Sequence, residues 1–451
     1  MKNIDVKIFL ILLIGALVRI YGMMTLSLGE WDERFHALVA KNLMNDPLHP
    51  ILISENLVKL DPNDWSMCHI WLAKPPLALW TMALSLKIFG INELGLRLPS
   101  LLFSMISIYL TYAIGKKLFN EKVALIAAFL YAVNGLLYEI NIGLLSGDHV
   151  DTLLHLLFQS SIYFVLHYSN LSSQKLGIIL GILIGLAFLT KWTMALLIWT
   201  VLAAYFLATH RKRSLSIILS MSFIAIFISL PWVLWIFSQF PKEAYQMMQG
   251  LIHPVTTVIQ NHDGSWYYYL NSIRININEL VYLPLILLMV RSFRHLNNEK
   301  LLLMFWIFIP LILLSISATK REVYIMISAT PMFISIGWMM VYLSKIKAYR
   351  KLSILFTVLI FGAAIRYSIE RIKPWKSRLE KPEYRIAMEN LLNNSKAPAD
   401  SIILINEPKY LDARFYYGLL AYRFIDDKAV FDIKNKGFVV YENVKGSYVE
   451  K

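Results

Sequence analysis

The chain has 451 residues, 57% hydrophobic and only 16% charged, with a mean hydropathy of +0.55 and a formal net charge of +14. That balance excludes an ordinary soluble domain and indicates a polytopic membrane protein, whose cationic excess belongs to cytoplasmic loops rather than to nucleic-acid binding. A single cysteine, Cys68, excludes an internal disulfide and argues against a thiolate-built metal site.

The N-terminal stretch "MKNIDVKIFLILLIGALVRIYG" has a basic start and an apolar core but no small-x-small cleavage site, so it is expected to remain as a first span. Apolar stretches long enough to cross fall near 8–24, 98–115, 122–138, 151–168, 175–190, 193–209, 214–238, 279–293, 301–318, 324–343 and 352–369. The stretch 75–90 reaches only ~24 Å as a helix, short of a ~30 Å hydrocarbon core, and is expected to lie at the interface. With the N-terminus inside, the basic groups Lys116–Lys117–Lys122, Lys175, "HRKR" (210–213), Arg291, Arg294, Lys300 and "SKIKAYRK" (344–351) all face inward. A crossing at 75–90 would turn every one of them outward, against the positive-inside rule. The predicted fold class is therefore all-α and polytopic, with about eleven spans and juxtamembrane helices in a first outer segment, 25–97.

Within that segment "SLGEWDERFHALVAKNLM" (27–44) reads as a surface helix, because each of its charges would cost several kcal/mol in lipid. Ser27 and Glu30 fit a capping box, and Trp31, Phe35, Leu38 and Val39 form an apolar stripe. Asp32 and Glu33 are then left on the polar side. Acids at a helix start also serve simply as dipole partners. A second acidic segment on the same outer side, Asp148 and Asp151 with His149 between them, favours a converging site.

Cations join them. Lys74 precedes a double proline, Lys191 lies between two closely spaced spans, and Lys320 and Arg321 sit in "SATKREVY". A lone lysine at a span end usually snorkels to head groups. Several basic sites on the outer side instead suit a phosphate held at the membrane surface. The 239–278 loop adds His262 and Asp263 as an acceptor- or donor-facing pair, followed by Tyr267–Tyr269, read as an interfacial aromatic belt. After about residue 370 the pattern changes. "EYRIAMENLLNNS" reads as a helix, "SIILIN" and "GFVVYEN" as strands, with "YLDARFYYGLLAYRF" helical between them. This predicts a small extracytoplasmic α/β domain over 371–451 appended to a transmembrane catalytic unit over 1–370.

In order along the chain, "WDERFHALVAKNL", "KPPLALW", "RLPS", "GLAFLTK" and "SATKREVYIMISATP" resemble the landmarks of GT-C-type lipid-linked sugar transferases, in particular the protein O-mannosyltransferase and lipid A aminoarabinose transferase group. The resemblance covers roughly residues 8 to 370, and its most specific part is the acid-bearing first loop followed by "KPPL". It implies a multi-pass protein of the bacterial inner membrane that uses a polyprenyl-phosphate sugar as donor and inverts the anomeric centre. It implies Asp32 as the catalytic acid position, Lys74 as a ligand of the carrier phosphate and Tyr324 near that phosphate. Ala73 departs from the pattern, since the aminoarabinose enzymes have a glutamate there and the mannosyltransferases a histidine nearby. A divalent metal is therefore left open.

The expectation is sugar transfer to an extracytoplasmic protein, glycolipid or polysaccharide. Asp32 would act as general base, Glu33, Asp148 and Asp151 as further acids, and Lys74, Lys191, Lys320 or Arg321 would face the leaving phosphate. A transporter or flippase of an anionic lipid would also use such a cavity, but no inverted repeat and no mid-span charge pairing stand out. A non-catalytic scaffold leaves the acids and lysines unexplained.

Overall fold

The structure, a computed structural model, describes residues 6–451 apart from 56, 210, 295–296 and 374–380. Of the groups used for orientation, His210 and the side chains of Arg211, Lys212 and Arg294 lie outside the described residues, as does the segment just beyond the expected division at 370. The first half of the chain forms helices α1 (Val6–Thr25), α2 (Asp32–Leu43), α3 (Pro76–Phe89), α4 (Glu93–Leu118), α5 (Glu121–Val133), α6 (Gly135–Asn141), α7 (His149–His167) and α8 (Ser173–Lys191). It continues with α9 (Ala195–Thr209), α10 (Arg211–Gln239), α11 (Pro241–Thr256), α12 (Tyr268–Asn276), α13 (Tyr282–Arg294), α14 (Asn298–Ile316), α15 (Ala329–Ser344) and α16 (Arg350–Ile372).

Among the described residues, seven helical stretches are long and apolar enough to cross a bilayer, or eight if α5 and α6, bent by 54°, form one span. All eleven expected stretches fall on helices, but not as eleven long apolar ones. α13 is short, and α7 carries His149, Asp151, His155 and Gln159. Those polar groups face protein: Gln159 Nε2 donates to Thr111 Oγ1 (3.0 Å) and Thr330 Oγ1 (2.6 Å), tying α7 to α4 and α15. The helical run Ser173–Thr209 covers 37 residues but folds back at Trp192, where φ is 36°. A straight helix of that length would separate its ends by ~55 Å. Instead Arg213, just past the run, donates to Ser173 Oγ (3.0 Å) and the Leu171 carbonyl (2.6 Å). α8 and α10 consequently lie parallel. A Cβ on Gly177, Gly181 or Gly185 would come within 2.9 Å of Ser220, Ile224 or Ile228 in turn, so the glycine face permits the close approach.

The 75–90 stretch is the short helix α3, about 21 Å long at 14 residues. The 239–278 loop contains α11 and α12. Tyr269 is core rather than belt, 1% exposed, with its hydroxyl donating to the Arg321 carbonyl at 3.2 Å.

The C-terminal segment has α17 (Glu383–Asn394) and strands β1 (Ile402–Ile405), β2 (Leu420–Ala421), β3 (Val439–Val444) and β4 (Ser447–Glu450). The sheet order is β2-β1-β3-β4, with β1 parallel to β2 and β3, and β3 antiparallel to β4. The stretch expected as one helix over 410–424 winds only to Tyr417, turns at Gly418 (φ 68°) and becomes β2. The β3–β4 hairpin, turning on Lys445 and Gly446 with positive φ, extends the sheet beyond the two expected strands.

This segment seats itself on the first outer segment through charge. Lys409 meets Glu30 (2.6 Å), Arg34 meets Asp412 (3.5 Å), Arg385 meets Glu93 (2.9 Å) and Arg414 meets Glu55. Lys41 donates to the carbonyls of Arg414 (2.6 Å) and Phe415 (3.0 Å). α2 is therefore not a surface helix with one wet face. Glu33, Arg34, Phe35, His36, Leu38, Val39 and Leu43 are all buried, while Trp31 is 61% exposed. The amphipathic pattern anticipated one covering layer, and the C-terminal segment supplies a second.

Candidate active site

α2 begins at Asp32 rather than near Ser27, and Trp31, its N-cap, provides no side-chain cap. The expected capping box is absent because Glu33 serves the turn instead: its Oε2 accepts from the Gly29 amide at 2.6 Å. Glu33 is fully buried. Arg97, near the start of α4, donates from Nε to Oε1 (2.7 Å) and from Nη2 to Oε2 (2.8 Å). Its remaining donors reach the carbonyls of Met23 (3.2 Å), Leu26 (2.6 Å) and Ser27 (2.9 Å). His149 lies 2.9 Å from Glu33 Oε1 and 3.1 Å from the Asn141 carbonyl. Burial alone would raise the Glu33 carboxyl, but Arg97 and His149 hold it down at about 2. Gly143 makes room for this carboxylate: its φ is 77°, and a Cβ there would sit 2.3 Å from Glu33 Cδ.

Asp32 has a different setting. It lines a cavity of about 600 Å³ and is bound at Oδ2 by Lys74 Nζ at 3.0 Å, both side chains staying about one-fifth exposed. Burial raises the Asp32 carboxyl, but Lys74 and His36 outweigh it, leaving it below the usual carboxylate range. Burial lowers the Lys74 ammonium, while Asp32, then Tyr324, Asp151 and Asp148, bring it out well above the usual lysine range. Lys74 thus pairs with Asp32, whereas Glu33 pairs with Arg97.

Asp148 and Asp151 form a capping box at the start of α7. Asp148 Oδ1 accepts from the Val150 amide (3.1 Å), and its Oδ2 contacts His36 Nδ1. His36 and then His149 hold its carboxyl low against burial. Asp151 is bound by Lys191, whose ammonium also lies 4.9 Å from the ring centre of Tyr324. Both acids are buried and paired. Lys320 turns back to the Ser317 carbonyl (2.6 Å). Arg321, held by Gln260 Oε1 (2.8 Å), lines the cavity with His262, whereas Asp263 is exposed and outside it.

The fold thus gathers Asp32, Glu33, Lys74, Asp148, Asp151, Lys191 and Tyr324 from five separate segments. Spacing missed Arg97, His36 and the C-terminal wall of the cavity, which includes Pro408, Tyr410, Leu411 and Arg423. A signal for Arg97 was present, since a guanidinium at the start of an apolar stretch demands a partner. Among the described residues no group of three or more His, Cys, Asp or Glu side chains is arranged to hold a metal ion.

Residues 73–235 match the family model described as dolichyl-phosphate-mannose-protein mannosyltransferase, a region that contains Lys74 but not Asp32. A Pseudomonas fluorescens protein, undecaprenyl phosphate-alpha-4-amino-4-deoxy-L-arabinose arabinosyl transferase 1, is 27% identical over 282 residues, 60% of this chain and 51% of that protein. The Pseudomonas aeruginosa transferase of the same description is 26% identical over 291 residues, 61% of this chain and 51% of its own length. The chain therefore spans about half the length of the curated relatives it matches. The crystal structure of ArnT from Cupriavidus metallidurans in the apo state superposes with a TM-score of 0.66 at 15% identity, covering 95% of this chain and 88% of that one. The same protein bound to undecaprenyl phosphate gives 0.66 at 14%, covering 95% and 87%. The Archaeoglobus fulgidus oligosaccharyltransferase gives 0.61 at 13%, covering 92% and 64%. The chain thus has the multi-pass GT-C-type fold and resembles the polyprenyl-phosphate-sugar transferases of the O-mannosyltransferase and aminoarabinose transferase group in sequence as well as in architecture.

Proposed function

We propose that this chain transfers a sugar from a polyprenyl phosphate to a hydroxyl-bearing acceptor on the extracytoplasmic side of the membrane. The observation that carries the reading is the Asp32–Lys74 pair, 3.0 Å apart at the cavity edge, beside acids that are buried and already paired. Three carboxylates line the cavity, Glu30, Asp32 and Glu322; Asp32 is the one held by Lys74, and it takes the proton from the acceptor hydroxyl. Lys74, fully charged, meets the departing phosphate, with Lys191 and Tyr324 behind it. The acceptor oxygen bonds to the anomeric carbon from the face opposite the phosphate, the carbon–phosphate oxygen bond breaks, and the configuration inverts. Glu33, Asp148 and Asp151 act by positioning: they fix α2, His36 and Lys191 around Asp32 and Lys74. The undecaprenyl phosphate carried by the Cupriavidus protein supports a lipid-linked donor of this kind. In this reading residues 1–370 form the catalytic unit, and 371–451 an extracytoplasmic domain that walls the acceptor cavity.

The test is purified protein incubated with a panel of radiolabelled polyprenyl-phosphate sugars and extracted envelope acceptors. Transfer of one label that disappears in Asp32→Asn supports the assignment. Intact donor with every acceptor fraction removes it.

A further inference from the structure

A second cavity of about 470 Å³ adjoins the first. Trp65 lines both, and Ala73, the residue before Lys74, lines the second. Its walls are the 62–73 segment and α11. They present the indoles of Trp65 and Trp71, the amides of Asn63 and Gln246, the carboxylate of Glu243 and the imidazole of His253, among apolar side chains such as Ile70, Leu72, Met247 and Leu251. Among the described residues no lysine or arginine lines it. Gln246 Nε2 donates to Asn63 Oδ1 at 2.6 Å, which fixes α11 against the facing segment. Trp71 is 3% exposed, and its indole nitrogen is buried without a hydrogen-bond partner among the described residues. A buried indole N–H ordinarily has one.

This lining does not suit a phosphate, which calls for cations. A hydrocarbon chain would match the apolar side chains but leave the amides and the carboxylate desolvated without compensation. The mixed lining matches a sugar ring, whose C–H face lies against apolar side chains and the half-exposed Trp65 indole and whose hydroxyls both donate and accept. The volume falls within the roughly 300–1,000 Å³ of small-ligand sites. We propose that this second cavity binds the sugar ring of the lipid-linked donor, with Trp71, Glu243 and Gln246 as its specificity contacts, so that a phosphate on Lys74 delivers the anomeric carbon to the edge shared with the acceptor cavity.

The inference rests on the transferase reading, so its test separates the two. Binding to the purified full-length chain in detergent is measured for undecaprenyl phosphate and for a panel of undecaprenyl-phosphate sugars. The expected result is that at least one sugar-bearing lipid binds more tightly than undecaprenyl phosphate. Glu243→Gln, Gln246→Ala and Trp71→Phe should each weaken that lipid at least tenfold and leave undecaprenyl phosphate within twofold. Glu243 and Gln246 are only half-buried, so two of the three variants avoid the packed core. Equal losses for both lipids would assign the cavity to the carrier and overturn the proposal. Unchanged binding in all three variants, with Lys74→Ala still impaired, would overturn it while sparing the transferase reading. Absence of binding by every lipid, in the parent protein as well, would overturn both.

Discussion

Arg97 grips Glu33 through two hydrogen bonds of 2.7 and 2.8 Å, with both side chains fully buried. Asp32, one residue earlier, is held by a single lysine at a cavity edge. Two neighbouring acids are thereby divided between holding the fold and facing the cavity.

Glu33→Gln should act mainly on stability. It leaves the Arg97 guanidinium buried without its counter-charge, a loss of about 3–5 kcal/mol. Thermal unfolding in detergent should show a markedly lower midpoint and poor yield. A variant that melts like the parent but has lost transfer would move Glu33 into the chemistry.

Asp32→Asn should do the reverse. The pair it breaks is partly exposed and the amide can still accept from Lys74, so the loss of stability should be smaller than that of Glu33→Gln. Donor-lipid binding should persist while transfer falls about 10²- to 10⁴-fold. Asp148→Asn and Asp151→Asn, assayed alongside, should show their losses in unfolding temperature first. Full activity in Asp32→Asn would place the base elsewhere.

Lys74→Ala should weaken donor binding or turnover at least tenfold, about 1.4 kcal/mol. Lys74→Arg should recover only part of this, because a planar fork replaces a compact ammonium. Titration with undecaprenyl phosphate reads the effect, and parental affinity in Lys74→Ala would leave Lys191 as the remaining cation behind the pair.

Acid should expose Glu33 in a defined window. Its carboxyl is held near 2 in the fold against an ordinary 4.5, so the folded state binds fewer protons than the unfolded chain. The stabilisation is complete above about 4.5 and is lost as pH falls toward 2. Unfolding midpoints across that interval should drop more steeply for the parent than for Glu33→Gln. Parallel curves would contradict the depressed carboxyl.

Orientation is testable with reporter fusions. Lys117 and Lys347 are expected inside and Lys434 outside, in keeping with the basic loops. An inside signal at Lys434 would separate the C-terminal segment from the cavity it is proposed to wall.

Much of the frame was legible in the sequence because apolar runs report directly on helices that face lipid or core. The hairpin at Trp192 was legible too, as two apolar runs with Lys191 between them. The burial of Glu33 was not. Residues 32 and 33 differ by about 100° around a helix, and only a guanidinium 64 residues further on decides which one is enclosed. His36 reads as an ordinary polar position until Asp148 is brought to it across 112 residues. The polar face of α2 looked wet because its cover comes from beyond residue 400, through ion pairs that leave no periodic trace.

Those ion pairs also impose an order in time. Lys41 waits for carbonyls made 373 residues later, and Glu30 for a lysine 379 residues on. During synthesis α1 to α16 are made before the cavity has its last wall, so a half-made chain carries Asp32 and Lys74 but no enclosed chamber around them. The chamber closes only once the chain has left the ribosome far enough to fold its own sheet over the opening.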